Sequence, residues 1–127
     1  MERKKALIVM QRKVLSDALI EYAKPEEQLD ITVEYSYAMA ALTAEAYAPT
    51  VVMMEIPETG PWKSAEKCLA VCNVIKKQSA NCKIIILCSE GDLDSCGTVI
   101  AAKRENRIDD FLYYEASIKY LFSKLAS

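Results

Sequence analysis

Two hydrophobic patterns alternate along this chain from end to end. Ala6-Leu7-Ile8-Val9-Met10 is a continuous apolar run of the length expected for a strand buried on both faces. Leu15, Ala18, Leu19 and Tyr22 then fall at i, i+3, i+4 and i+7, the stripe of an amphipathic helix. Lys24-Pro25 ends that helix, because the residue before a proline is pushed out of the helical region. Ile31, Val33 and Tyr35 alternate as a half-exposed strand, and an alanine-rich helix over residues 38–47 stops before Pro49. Val51-Val52-Met53-Met54 is a second buried run, followed by Ile56-Pro57-Glu58-Thr59-Gly60-Pro61, a loop by its Pro and Gly content. Ser64 is placed to cap a helix whose Cys68, Val71, Cys72 and Ile75 repeat the helical spacing. Residues 83–87 form a third buried strand, and Glu90-Gly91-Asp92 turns the chain into a helix with Cys96, Val99 and Ile100 on one face. Asp109-Asp110 leads into the short strand Phe111-Leu112-Tyr113-Tyr114, and Ile118, Leu121, Phe122 and Leu125 mark the last helix.

Five strand-helix units with no large insertion predict an α/β fold, a doubly wound five-stranded parallel sheet with right-handed crossovers, over residues 1–127 as one domain. Composition agrees: 52% apolar and 27% charged residues in 127 favour a globular core over disorder. The net charge is −2, and the basic residues are scattered in short runs (Arg3/Lys4/Lys5, Arg12/Lys13, Lys76/Lys77, Lys103/Arg104) that read as solvated faces or strand ends. Nucleic acid is therefore not the expected partner of this domain. No apolar run approaches the roughly 18 residues of a membrane span. The apolar part of the N-terminus is too short for a signal peptide, so no membrane association and a cytoplasmic location are expected.

In an open doubly wound sheet, ligands bind at the carboxyl ends of the strands. That edge collects Met10-Gln11, Glu55, Cys88-Ser89 and Tyr114-Glu115, a set poor in chemistry. The chain has no histidine, which excludes a thiol-imidazole nucleophile of its own. Its five cysteines form no Cys-x-x-Cys pair, so neither a metal nor another cofactor is expected and the thiols read as free and mostly buried. Cys68 and Cys72 share a core-facing helix stripe. Cys88 is a thiol at the mouth of the sheet with no histidine or lysine in the strand-end set to lower its pKa. The isolated Gly60, Gly91 and Gly97 make no phosphate loop. Asp109 and Asp110 point to opposite faces as strand neighbours and read as turn chemistry. Trp62 is a loop residue near the ligand-binding edge.

The unit pattern and three local motifs resemble the receiver domain of bacterial response regulators over essentially the whole chain, with the flavodoxin-like (βα)5 architecture. The segment Pro49-Thr50-Val51-Val52-Met53-Met54-Glu55-Ile56-Pro57 is similar to the family's third strand, and Glu55 stands at the phosphoaccepting aspartate. Ile84-Ile85-Ile86-Leu87-Cys88-Ser89 is similar to the fourth strand, with Cys88 at the phosphoryl-sensing threonine or serine. Asp109-Asp110-Phe111-Leu112-Tyr113-Tyr114-Glu115 places Phe111 at the switch aromatic, Tyr114 at the essential lysine and Glu115 at the proline after it. Met10 and Gln11 stand at the acidic pair that holds Mg²⁺. Each of these positions departs from the family's pattern.

The resemblance implies a pseudo-receiver in signal transduction that is not phosphorylated in the usual way and acts through protein partners: a signalling kinase, an effector domain, or a second copy as a homodimer. Lys103, Tyr113, Tyr114, Lys119 and Tyr120, on the fourth helix, fifth strand and fifth helix, are the interface candidates it suggests. Two other readings are a receiver still switchable at an unusual phosphoacceptor and a flavodoxin-like small-ligand binder or enzyme. Glu55 itself reads either as a mimic of a permanently charged aspartate or as an ordinary strand-end carboxylate.

Overall fold

A computed structural model describes residues 4–23 and 29–127. The apolar runs become strands β1 (Lys4–Val9), β2 (Leu29–Glu34), β3 (Val51–Glu55), β4 (Lys83–Cys88) and β5 (Asp110–Tyr113), all parallel and ordered β2-β1-β3-β4-β5. Helices α1 (Lys13–Ala23), α2 (Ala40–Tyr47), α3 (Ala65–Gln78), α4 (Leu93–Arg104) and α5 (Ile118–Ala126) connect or follow them. The doubly wound α/β architecture read from the sequence is therefore the one observed.

The two-residue period of the strands sorts the core into two layers. Leu7, Val9, Val52, Met54, Ile84, Ile86 and Cys88 face α2, α3 and α4, where Ala40, Cys68, Cys72 and Val99 meet them. Ala6, Ile8, Met10, Val51, Met53, Ile85 and Leu87 face α1 and α5, where Leu19, Leu121 and Leu125 meet them. Both faces of β1, β3 and β4 are covered, which is why these strands read as unbroken apolar runs. Strand order reverses between β1 and β3, so their carboxyl ends open the crevice in which such sheets place ligands.

Local chemistry sets the helix ends. Ser64 Oγ accepts the Lys67 N–H at 3.1 Å, and Asp92 and Ser117 cap α4 and α5 in the same way. Ser64→Ala is expected to lower stability by about 1 kcal/mol, the usual worth of such a cap, read as a lower urea midpoint at unchanged slope. Unchanged stability would mean that water replaces the cap without loss.

Several boundaries differ from the sequence expectation. The helix expected over 38–47 begins as a 3-10 turn, Tyr37–Met39, and becomes α-helical at Ala40, because Tyr37 turns inward to hydrogen-bond at the sheet edge. It ends at Ala48, held at φ 54° in the left-handed region, where the following Pro49 disfavours further helix. Tyr35 lies beyond β2, and its hydroxyl is 3.2 Å from Ser16 Oγ. The buried stripe of α1 centres on Ser16, Leu19 and Ala23, leaving Tyr22 largely exposed against the Phe122 ring. Tyr114 follows β5 instead of ending it. The stop expected at Lys24-Pro25 lies outside the described residues. No helix among the described residues is long and apolar enough to cross a membrane.

Candidate functional site

At the carboxyl edge, β1 and β3 deliver Met10, Gln11 and Glu55 side by side. Met10 is fully buried in the layer under α1 and α5, packed as a core residue. Gln11 is exposed, and its backbone N–H donates to Glu55 Oε1 at 3.2 Å. Glu55 is 1% exposed, a carboxylate almost wholly withdrawn from solvent. Its backbone carbonyl accepts the Tyr37 hydroxyl, which also reaches the Val9 carbonyl at 3.4 Å. The Tyr37 ring stacks on Trp62 at 5.5 Å, so Trp62 is a half-buried anchor of the loop after β3.

The cation of this site is the chain's own. Arg12 Nε lies 2.7 Å from Glu55 Oε2, Arg12 Nη2 lies 2.9 Å from Glu58 Oε2, and the guanidinium sits 4.0 Å above the Tyr114 ring. Tyr114 closes the circuit by donating its hydroxyl to Glu58. Glu55 Oε2 is thus held in an ion pair by the partly exposed Arg12 side chain. Burial pushes the Glu55 carboxyl above its ordinary pKa, and the Gln11 N–H and Arg12 pull it back only in part. The Arg12/Lys13 pair, read as a solvated face or a strand end, divides between the two. Lys13 is exposed and pairs with Asp17 one helical turn on, whereas Arg12 folds back over the sheet edge. An arginine three places beyond β1, at the edge that also carries the Glu55 carboxylate, was the available signal.

The remaining edge positions are tied to one another. Glu115 accepts from Ser89 Oγ and from the Glu90 N–H, both at 3.0 Å, joining the loop after β5 to the loop after β4. Cys88 is fully buried, its Sγ lies 3.8 Å from Cys96 Sγ, and burial first, then Cys96, pushes its thiol up to about 12. Phe111 is half-buried, edge-on to Tyr113 at 6.0 Å with Lys103 Nζ 5.8 Å over its ring.

The interface candidates divide between two places. Tyr113 packs toward α4, and Lys103, Lys119 and Tyr120 are exposed on α4 and α5. Tyr114 packs on the opposite layer, within the Arg12 cluster. Asp109 and Asp110 do point apart, but as ion-pair partners and not as turn formers. Asp109 pairs with Lys76 at 2.9 Å and accepts the Ile84 N–H, while Asp110 pairs with Lys103 at 3.2 Å and Lys124 at 3.7 Å.

A magnesium ion asks for several hard oxygen ligands in near-octahedral array. At the positions where the resemblance puts its ligands stand the buried thioether of Met10, the amide of Gln11 and a carboxylate already engaged by Arg12. That donor set does not fit the ion, and the guanidinium adds like charge against it.

No family model and no curated protein matches the chain. Solved structures do. A response regulator receiver domain protein (CheY-like) from Methanospirillum hungatei superposes with a TM-score of 0.75 at 12% identity, covering 98% of this chain and 92% of that one. The fold is that of a receiver domain. A DNA-binding response regulator of the LuxR family from Staphylococcus aureus gives 0.74 at 22% identity over 97% and 96%. An adenylate cyclase from Rhodopirellula baltica gives 0.79 at 18% over 98% and 85%. A receiver fold on so wide a range of named proteins fixes the architecture and leaves function to the residues at the sheet edge.

Proposed function

We propose that this chain is a receiver-like signalling module that does not take a phosphoryl group in the usual way and works by docking on protein partners. The observation that carries this reading is the Arg12 guanidinium held between Glu55, Glu58 and Tyr114. Phosphoryl transfer to a carboxylate depends on cationic groups that neutralise the phosphoryl oxygens and leave the nucleophile free to attack. Here the buried carboxylate is occupied by a resident cation, and a tyrosine stands at the place of the lysine. Likeness to response-regulator receivers in fold supports the signalling part of the reading.

The partner is a protein: a signalling kinase, an effector domain or a second copy. Lys103, Tyr113, Lys119 and Tyr120 offer a mixed aromatic and cationic face on α4, β5 and α5, of the composition favoured at interfaces. Tyr114 takes part only indirectly, through the Arg12 cluster. The module acts in the cytoplasm, without direct nucleic-acid or membrane contact of its own.

The test is exposure to acetyl phosphate with Mg²⁺, read by intact mass, beside an amide NMR titration with Mg²⁺ and then beryllofluoride. The expected result is no phosphoryl adduct and no saturable shift at Gln11, Glu55, Cys88 or Tyr114. Shifts spreading from Glu55 to Phe111 and α4 would overturn the reading and restore a phosphorylation-responsive receiver.

A further inference from the structure

Cys88 ends β4 and Cys96 lies in the opening turns of α4, and the loop between them brings their sulfurs to 3.8 Å, van der Waals contact. The other thiols have different neighbours: Cys68 faces the Trp62 carbonyl at 3.5 Å, Cys72 the Met54 sulfur at 4.0 Å, and Cys82 the Lys83 carbonyl at 3.8 Å. We infer that Cys88 and Cys96 are a reversible dithiol-disulfide site, oxidised by a small hydroperoxide and reduced again by a thiol.

Bond formation requires the sulfurs to close by roughly 1.8 Å, to the ~2.0 Å of a disulfide. Side-chain rotation and a small shift of the start of α4 supply that movement. Gly97 follows Cys96 within the helix, with nothing within 4 Å of the place a Cβ would occupy. A glycine inside a helix weakens it locally, so α4 is deformable where the movement is needed.

Exposure orders the chemistry. Cys96 is the outer thiol at 6% exposure, and Cys88 is the inner one at 0%. Thiolate at Cys96 attacks the O–O bond of the hydroperoxide, giving a sulfenic acid and an alcohol, or water when the oxidant is hydrogen peroxide. The Cys88 sulfur then displaces the sulfenic hydroxyl, which leaves as water with the Cys88 proton, and the S–S bond forms. In sum, two thiols and one hydroperoxide become a disulfide, an alcohol and water, and the two electrons lost by the sulfur pair reduce the O–O bond. Two molecules of a reducing thiol reverse the step through a mixed disulfide. Cys88, buried and poorly acidic, is protected from direct attack and serves as the resolving thiol. Burial also excludes bulky reagents, which selects for a small oxidant.

The site stands on this geometry alone; its use as an input rests on the docking reading given above. Cys88 pairs in register with Tyr113 across β4 and β5, and Tyr113 packs on the same layer as both thiols. A disulfide that draws in the start of α4 therefore reshapes the surface carrying Tyr113 and Lys103.

The full chain, reduced and native, is treated with hydrogen peroxide, alkylated in denaturant and digested. The expected product is a Cys88–Cys96 cross-link two hydrogens lighter than the reduced peptides, with two of the five cysteines lost to alkylation and recovered by dithiothreitol. Oxidation shifts the amides of Tyr113 and α4. Cys96→Ser keeps the helical spectrum and thermal unfolding of the parent and forms no cross-link. Indiscriminate oxidation of all five thiols, or a cross-link that forms only in denaturant, overturns the proposal. The phosphodonor experiment is run on reduced protein, so an adduct there would sink the docking reading and leave the thiol site standing, and the converse holds as well.

Discussion

Met10→Asp is expected to destabilise the chain by about 3–5 kcal/mol at neutral pH, the usual consequence of an unpaired charge in a closed interior. Met10 is fully buried beneath α1 and α5, in the layer that holds Leu19, Met53 and Leu87. A carboxylate there loses its hydration and gains neither donor nor cation, because the guanidinium at this edge is already shared between Glu55 and Glu58. Gln11→Asp, one residue on and exposed, is the control and should stay within about 0.5 kcal/mol. Urea unfolding of the two variants beside the parent makes the comparison. Should Met10→Asp prove as mild as Gln11→Asp, the Met10 pocket would have to admit water or a cation, and Met10 would not be the closed core position its burial indicates. With the expected result, the acidic pair of the receiver family is not one substitution away from this chain.

The contrast between these neighbours shows how far the sequence was legible. The central strands stood out because burial on both faces leaves no polar position between residues 6 and 10, 51 and 54, or 84 and 87. The cap at Ser64 was visible because a hydroxyl before an apolar stripe has few other uses, whereas Glu90-Gly91-Asp92 read only as a turn and the capping by Asp92 emerged from the structure. The inward turn of Tyr37 was hidden. Nothing in its local spacing announces that its hydroxyl will satisfy carbonyls of two different strands. Asp109 and Asp110 were misread for a related reason: turn propensity is local, whereas their partners Lys76, Lys103 and Lys124 come from three helices.

Long side chains set the limit at the site itself. Arg12 sits next to Lys13 in sequence, and the destination of a flexible cationic side chain is decided by the carboxylates within its reach, not by its period along the chain. Resemblance pointed to Met10, Gln11, Glu55, Cys88 and Tyr114 as strand-end positions, and the sheet does bring them to one edge. It was blind to Arg12 and to the approach of Cys96 to Cys88, both of which depend on how the loops after β1 and β4 fold back.

The weight of the Arg12 contact is measurable. Arg12→Ala is expected to cost about 2 kcal/mol at neutral pH, below the ~3–5 kcal/mol of a fully buried broken pair because solvent screens the partly exposed arginine. Arg12 is 40% exposed and Glu55 only 1%. The pH dependence follows from the direction of the Glu55 shift. Burial holds its folded pKa above the ordinary 4.5, so the folded state binds that proton more tightly than the unfolded chain does. The stability associated with protonated Glu55 is complete below the ordinary value and is lost as pH rises through the raised one. Removing Arg12 takes away a group that opposes the upward shift, so the Arg12→Ala loss is small below the ordinary 4.5, where Glu55 is protonated in both proteins, and grows as pH rises through the raised value. Arg12→Ala combined with Glu55→Gln should recover most of the loss, since no buried charge is then left without its partner. A loss independent of pH and not relieved by Glu55→Gln would assign the arginine's role to its stacking on Tyr114. A pH-dependent, rescuable loss means that the buried Glu55 carboxylate is balanced by a cation built into the chain, the place a soluble metal ion would otherwise take.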